Sequence, residues 1–230
     1  MRTDARGFTL WLTGMSGSGK TTISEILQNR FSLIGRKVTL LDGDAVRKHL
    51  CADLGFARRD REENIRRLGQ ICYNMAGHGV DSMVAAITPY RSLRKEMREK
   101  LPRYVEIYIE CEMDVLVARD VKGLYRKALI GEIDNFTGVS DIYETPDTPE
   151  ITVNTSSETV EASVRFIWSR LVEMGLVGRS SKKGARHLGR SDVISPSGSE
   201  RARESDQLQS LQLKDEMLVA DTGSSQPIVY

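Results

Sequence analysis

The chain has 230 residues, which is enough for one domain, or for one domain and a tail. Its 33 basic and 32 acidic residues give a formal net charge of +1, so no overall field favours binding to nucleic acid or to a membrane surface. No apolar run has the length of a membrane span, no signal-peptide core follows the first residues, and the three cysteines have no metal-ligand spacing, which together predict a cytoplasmic protein with reduced thiols.

A glycine-rich stretch follows the first predicted strand, Phe8–Thr13. It fits the pattern G-x-x-x-x-G-K-[ST], in which backbone N–H groups and the start of a helix surround phosphate oxygens. Lys20 has the length to reach the β- and γ-phosphates, and the Thr21 hydroxyl is a ligand for Mg²⁺. A chance glycine-rich turn is the alternative, but strand, lysine and threonine are in register, so the pattern predicts binding of ATP and Mg²⁺. The nucleotide-binding candidates are Gly14, Met15, Ser16, Gly17, Ser18, Gly19, Lys20, Thr21 and Thr22.

Two carboxylates follow the second predicted strand, 37–41, as Asp-Gly-Asp at positions 42 to 44. Many P-loop enzymes place an acidic residue beside Mg²⁺ at the end of a neighbouring strand. Asp42 and Asp44 are therefore candidates to organise the water around Mg²⁺ and to accept a proton from an attacking hydroxyl. With Lys20 they form the predicted catalytic set, and Asp42 joins Thr21 as a candidate metal ligand. A solvated Asp–Gly turn is the alternative.

A run of charged residues opens the next long predicted helix, 60–76, with Asp60 as N-cap and Glu63 reaching back in a capping box. Arg61 and Asn64 are three residues apart, so they share one face of the first helical turn. The planar guanidinium of Arg61 suits the tetrahedral oxygens of a phosphate or a sulfate. A solvated helix face is the alternative that such charge runs commonly represent.

The rest of the chain continues the alternation of strands and helices up to about residue 176. The further predicted strands are 82–87, 104–109 and 151–153, and the further predicted helices cover about 20–33, 45–51, 92–100, 113–119 and 158–174. This order predicts a parallel sheet with helices on both faces, in which ligands gather at the carboxyl ends of the strands. The predicted fold class is α/β, a P-loop NTPase-type three-layer sandwich with a mostly parallel five-stranded sheet.

Two segments fall outside this alternation. Residues 120–150 have no clean period but combine glycines, prolines, cations and aromatic residues, which predicts a lid over the site, with a flexible surface loop as the alternative. From residue 179 onward hydrophobic spacing disappears. The sequence therefore predicts a domain over 1–178 and a disordered, Ser-rich tail over 179–230.

Seven stretches in this order make the chain similar to the adenylyl-sulfate kinase (APS kinase) family. They are GMSGSGKTT, LLDGDAVR, LGFARRDREENIRRLGQIC, ITPYR, YVEIYIEC, RDVKGLYRKALIGEIDNFTGV and YETPDTPEI. The resemblance covers about residues 7 to 155, and the closing helix extends it to about 176. It implies that the γ-phosphate of ATP is transferred, with Mg²⁺, to the 3′-hydroxyl of adenosine 5′-phosphosulfate (adenylyl sulfate). A homodimer and an association with ATP sulfurylase are further expectations of the resemblance.

The resemblance also implies roles for the residues that match its motifs. Asp44 is implied as the base or hydroxyl-orienting carboxylate, and Arg119 is implied to lie near the base of ATP. Phe56 and Phe136 are implied to sandwich the adenine of adenylyl sulfate. The residues implied to contact adenylyl sulfate are Asp44, Arg47, Phe56, Arg61, Asn64, Ile87, Thr88, Lys122, Gly123, Leu124 and Phe136.

Three positions depart from the family pattern. Thr88 stands where many members carry serine, and we expect it to shape the acceptor pocket rather than to form an obligatory phosphorylated intermediate. Val121 stands in place of a usual proline, which loosens the hinge of the predicted lid. Only about seven residues precede the first strand, where stand-alone members have a longer segment that contributes to dimer contacts, so the oligomeric state stays open.

Two other functions stay open on the sequence alone. The first is a P-loop kinase of another small hydroxyl compound, which the adenine-sandwiching phenylalanines disfavour. The second is a catalytically weak regulatory or scaffold subunit of a sulfate-activating complex, which the intact set of Lys20, Thr21, Asp42 and Asp44 disfavours.

Overall fold

The structure is a computed structural model that describes residues 7–178. The strands are β1 (Thr9–Thr13), β2 (Val38–Asp42), β3 (Asp81–Ala85), β4 (Tyr104–Glu110) and β5 (Ile151–Asn154). The helices are α1 (Lys20–Leu33), α2 (Gly43–His49), α3 (Arg58–Gly77), α4 (Arg91–Lys100), α5 (Met113–Arg119), α6 (Leu124–Leu129) and α7 (Val160–Glu173). The predicted tail, 179–230, lies outside the described residues.

The five strands form one parallel sheet in the order β2–β3–β1–β4–β5. β1 is central, and all of its residues are buried. Because every strand runs in the same direction, all five carboxyl ends lie at one edge. The predicted α/β sandwich with a parallel five-stranded sheet is confirmed.

Side chains of successive strand residues point to opposite faces, and each face carries its own apolar cluster. One cluster packs α1 and α7 against the sheet, with Leu27 and Ile167 fully buried. The other packs α3 and α4 against the opposite face, with Leu68 and Met97 fully buried. No helix in the described range is long and apolar enough to cross a bilayer.

The predicted capping box at the start of α3 is wrong. The helix begins at Arg58, and its N-cap is Ala57, whose carbonyl accepts a hydrogen bond from the Arg61 N–H at 3.0 Å. Asp60 therefore lies inside the first turn, where a carboxylate still interacts favourably with the helix dipole. Tertiary contacts of the preceding segment, which no local pattern encodes, extend the helix at this end.

α2 begins two residues earlier than predicted because Asp42 caps it. The Asp42 carboxylate accepts hydrogen bonds from the Asp44 and Ala45 N–H groups at 3.0 and 3.1 Å, which satisfies two donors of the first turn. One of the two predicted catalytic carboxylates thus fixes the backbone that carries the other.

The predicted lid has a helix of its own, α6, where the sequence showed no clean period. The Asp120 carboxylate accepts hydrogen bonds from the Tyr125 and Arg126 N–H groups, both at 2.9 Å. It therefore caps the first turn of α6, although Asp120 itself lies before the helix. Tyr125 is buried, with Phe136 and Leu116, in a small third apolar cluster. The lid is therefore a packed element with its own core.

Candidate active site

A cavity of about 520 Å³ opens at the carboxyl edge of β1, β2 and β3. Five segments line it: the P-loop, the β2–α2 junction, the start of α3, the β3–α4 connection and the beginning of the lid. The predicted site residues in its wall are Ser16, Gly17, Gly19, Lys20, Thr21, Thr22, Asp42, Asp44, Arg47, Phe56, Arg61, Asn64, Ile87, Thr88 and Lys122. The structure thus brings together most of the site residues that were predicted from the sequence.

The other predicted site residues lie outside the cavity wall. They are Gly14, Met15, Ser18, Arg119, Gly123, Leu124 and Phe136. Gly14 has no room for a side chain, since a Cβ there would lie 2.4 Å from the carbonyl oxygen of Ile109 in β4. Gly19, at φ 95°, is the left-handed N-cap of α1 and turns the loop into the helix.

Lys20 lies folded against its own loop. Its Nζ donates hydrogen bonds to the carbonyl oxygens of Gly14 at 2.9 Å and Met15 at 2.7 Å, and its side chain is buried. Burial lowers the pKa of this ammonium to about 8, and the nearby Asp44 and Asp42 carboxylates partly offset that shift while Lys122 adds to it. A bound phosphate would supply the negative charge that this group needs.

Thr21 and Asp42 meet at the mouth of the loop, where the Thr21 hydroxyl donates to Asp42 Oδ2 at 3.0 Å. Within residues 7–178, no group of three His, Cys, Asp or Glu side chains is arranged to hold a metal. A hydroxyl and one carboxylate fit Mg²⁺, which keeps several waters and takes further oxygens from the phosphates of its nucleotide. The donor set therefore suits a cation that arrives with a nucleotide.

Asp44 forms an ion pair with a lid residue. Lys122 Nζ donates to Asp44 Oδ2, and both side chains are largely exposed at the cavity. This contact joins the end of β2 to the lid across the space between the P-loop and α3. Ion pairs with this exposure are weak, so a ligand can replace the contact at little cost.

Opposite the P-loop, two arginines flank one exposed aromatic ring. The guanidinium carbons of Arg47 and Arg61 lie 4.7 and 5.9 Å from the centroid of Phe56, whose side chain is 61% exposed. Burial, and after it the neighbouring charge of Arg61, lower the pKa of Arg47. This side of the cavity therefore offers a flat apolar face beside an anion site.

Arg61 is already engaged by the lid. Its Nη1 donates to Thr137 Oγ1 at 2.7 Å, its Nη2 donates to the carbonyl of Asn135, and its Nε lies 3.7 Å from the Asp141 carboxylate. Asn64, one turn along the helix, is buried, and its Oδ1 has no hydrogen-bond partner among the described residues. A buried amide oxygen without a partner at a cavity wall is typical of a side chain that contacts a ligand.

Phe136 does not line the cavity wall as Phe56 does. It is buried in the third apolar cluster, edge-on to Tyr125 with ring centroids 5.0 Å apart. Gly123 and Leu124 begin α6, and Leu124 packs into the same cluster. The structure therefore offers one exposed ring to an aromatic base, and the second half of the implied sandwich stays a prediction.

Behind the P-loop, a threonine that sequence analysis did not select connects Arg119 to the loop. Thr155 Oγ1 donates to the Ser18 carbonyl at 3.0 Å, and its own carbonyl accepts from Arg119 Nη2 at 2.5 Å. Thr155 follows β5 directly, so the rule that ligands gather at strand ends could have singled it out. Arg119 is thus linked to the P-loop through Thr155.

Comparison with known proteins identifies the family of this chain. The model of the adenylylsulphate kinase family matches residues 6–154. An adenylyl-sulfate kinase of Myxococcus xanthus is 50% identical over 175 residues, which are 74% of this chain and 94% of the relative. A probable bifunctional SAT/APS kinase of Sorangium cellulosum is 47% identical over 173 residues, 75% of this chain but 30% of the relative.

A solved structure supports the same assignment in three dimensions. The Mycobacterium tuberculosis APS kinase CysC, in complex with AMPPNP and APS, aligns with a TM-score of 0.69 and 33% identity over 73% of this chain and 98% of that chain. The sequence motifs and the α/β fold therefore agree with the comparisons. The chain belongs to the adenylylsulphate kinase family.

Proposed function

We propose that this protein is an adenylyl-sulfate kinase, which transfers the γ-phosphate of ATP to the 3′-hydroxyl of adenylyl sulfate. The proposal rests on one observation, which is that a single cavity contains two different sites. The P-loop forms one wall, and a cationic group with an exposed ring and an unpartnered amide oxygen forms the other. The second wall matches the chemistry of adenylyl sulfate, which has an aromatic base and an anionic phosphosulfate.

The proposal is tested by supplying acceptors one at a time. With MgATP and adenylyl sulfate, we expect ADP and 3′-phosphoadenylyl sulfate in equal amounts, measured by chromatography. With a sugar acceptor in place of adenylyl sulfate, ADP release should stay at the background rate, because a sugar has no base to lie on Phe56. Equal turnover of a sugar would favour the alternative kinase, and no turnover of either would favour a regulatory subunit.

On the nucleotide side, the P-loop backbone and Lys20 would hold the β- and γ-phosphates. Thr21 and Asp42 would hold Mg²⁺, which, when bound, neutralises charge on the transferring phosphoryl group. Lys20 would leave its contacts with the loop carbonyls for the phosphate oxygens and supply a preorganised positive charge. Arg119 would support the loop beside the base of ATP.

On the acceptor side, Asp44 would orient the 3′-hydroxyl for in-line attack and receive its proton. Arg47 and Arg61 would hold the phosphosulfate, with Lys122 leaving Asp44 to join them as the acceptor enters. Thr88 is 1% exposed and its hydroxyl accepts a hydrogen bond from Trp11 Nε1 at 2.9 Å. That burial supports a role in shaping the pocket rather than in covalent transfer.

We also propose how this site fits into the larger chain and its surroundings. Residues 1–178 would form the whole kinase domain, and loss of activity in a chain that ends at residue 178 would contradict this.

The cysteines of the described range are buried free thiols, which supports a cytoplasmic location, to be checked by cell fractionation. The name of the Sorangium relative combines SAT with APS kinase, and this supports a contact between the present protein and ATP sulfurylase. Sedimentation with and without that partner would test this contact and the proposed homodimer.

The lowered pKa of Lys20 predicts proton uptake when ATP binds. Burial favours the neutral amine, so at pH 9 about nine tenths of the free protein lacks this proton, given a pKa of about 8. A bound phosphate stabilises the ammonium and raises its pKa. Calorimetry in buffers of different ionisation enthalpy should therefore show an uptake that approaches one proton at pH 9 and is much smaller at pH 7.

Lys20→Arg is the matched control for this measurement, because a guanidinium stays protonated throughout the range. It should bind ATP without uptake at either pH. Absence of uptake by the unchanged protein at pH 9 would show that Lys20 keeps its proton in the free state.

Asp44→Asn tests the acceptor-orienting role. The amide keeps the volume but loses the charge and the basicity, so kcat should fall by roughly 10²–10⁴ while ATP affinity is retained. Asp53→Asn makes the same change on an exposed carboxylate that pairs with Arg67 outside the cavity, and should leave kcat unchanged. Lys122→Met removes the ion pair but keeps the Asp44 carboxylate, so its kcat should fall much less than that of Asp44→Asn, and an equal fall would contradict the role given to Asp44.

Arg61→Ala tests the anion site. Loss of a charged hydrogen-bond donor should weaken adenylyl sulfate binding by about 1.5–3 kcal/mol, roughly 10- to 150-fold, and leave the ATP analogue nearly unaffected. Arg58→Ala removes a cation one turn earlier that pairs with Glu62, and serves as the control. Calorimetry that finds equal losses for both ligands would contradict a separate acceptor role for Arg61.

A further inference from the structure

Thr88 has a backbone conformation that its side chain disfavours. Its φ of 46° lies in the left-handed region, where a β-branched residue is rare. It is 1% exposed, yet it lies in the wall of the cavity between the end of β3 and the start of α4. Such a conformation persists only where its surroundings fix it.

Two buried hydrogen bonds hold Thr88 from opposite sides. Trp11 Nε1, from the central strand, donates to the Thr88 hydroxyl at 2.9 Å. Arg94 Nη1, from the first turn of α4, donates to the Thr88 carbonyl at 2.6 Å. The carbonyl contact acts on the backbone itself, so Arg94 helps to hold Thr88 in the left-handed geometry.

Arg94 is itself placed by a buried ion pair. Its side chain is 3% exposed, and its Nε lies 3.0 Å from a carboxylate oxygen of Glu106 in β4. Its Nη2 donates to the carbonyl of Glu144, in the second half of the lid. One guanidinium therefore joins a sheet carboxylate, the cavity wall and the lid, a three-way contact that a lysine ammonium on the same stem cannot reproduce.

We propose that Arg94 is a positioning residue for the acceptor side of the cavity. It contacts no ligand position, and it acts by locking Thr88 and the Glu144 segment in the arrangement that receives adenylyl sulfate. The proposal rests on the proposed function for the identity of the acceptor. It requires that loss of the guanidinium fork raise the KM for adenylyl sulfate and leave the KM for ATP unchanged.

Arg94→Lys tests this, because it keeps the positive charge beside Glu106 but loses the fork. We expect a KM for adenylyl sulfate at least tenfold higher, with the KM for ATP within twofold of its original value. Arg98→Lys is the matched control on the same helix, since Arg98 contacts Glu106 and Glu150 but not Thr88. It should leave both KM values unchanged.

A spectroscopic measurement reports on Thr88 without turnover. With 5-fluorotryptophan in a Trp168→Phe background, the single fluorine resonance belongs to Trp11, which donates to the Thr88 hydroxyl. Arg94→Lys should shift or broaden this resonance, and Arg98→Lys should leave it in place. If Arg94→Lys does not fold, Arg94→Gln, which keeps one donor, replaces it in the same pair of measurements.

Three outcomes would overturn the proposal. They are an unchanged KM for adenylyl sulfate in Arg94→Lys, an equal rise in Arg98→Lys, or an unmoved fluorine resonance. If the unaltered protein fails to phosphorylate adenylyl sulfate at all, the proposed function fails instead, and the fluorine spectra still decide whether Arg94 positions Thr88.

Discussion

The parallel register of the sheet is the constraint on which the site depends. In the β2–β3 pairing Asp42 lies opposite Ala85, and in the β1–β3 pairing Leu12 lies opposite the same residue. This pairing brings three parts of the site to one edge of the sheet. They are Asp42, the P-loop, which follows β1, and Thr88, which lies three residues after Ala85. A slip of one residue would turn Asp42 to the other face of the sheet and remove the cap that carries Asp44.

The charged side chains at this edge of the sheet lie close enough together to shift one another's protonation. Lys20 is buried, so its protonation depends on Asp42 and Asp44 on one side and is opposed by Lys122 on the other. Phosphates entering the loop add negative charge at the point where burial has made the ammonium least stable. The free energy of phosphate binding and the protonation of Lys20 are therefore linked, and the linkage grows as the pH rises through the lowered pKa of about 8.

Sequence reasoning found the parts of the site that are encoded locally. The P-loop, the Asp42–Asp44 pair and the Arg61–Asn64 face each lie within one short segment, so spacing alone placed them. The parts it missed depend on contacts between distant segments. Thr155 meets Ser18 across 137 residues, which no periodicity records.

The same explanation covers the errors in secondary structure. α6 was missed because its apolar residues serve the small cluster under the lid and not the main core, so they have no long amphipathic period. The start of α3 was misplaced because a favourable local pattern, Asp60 with Glu63, competed with a helix that begins earlier. Local propensity identified the helix, and tertiary contacts set where it begins.

The lid is attached differently to the two sides of the cavity. On the nucleotide side, the Tyr125 hydroxyl donates to the Ser16 carbonyl at 2.9 Å, so α6 is fixed to the P-loop by a buried ring. On the acceptor side, Arg61 holds the lid through Thr137 and Asn135, using the same donors that an anion would require. In the proposed function, an entering acceptor would have to compete with the lid for Arg61, whereas ATP would leave the Tyr125 contact undisturbed. Release of the lid would then be coupled to the acceptor more strongly than to the nucleotide.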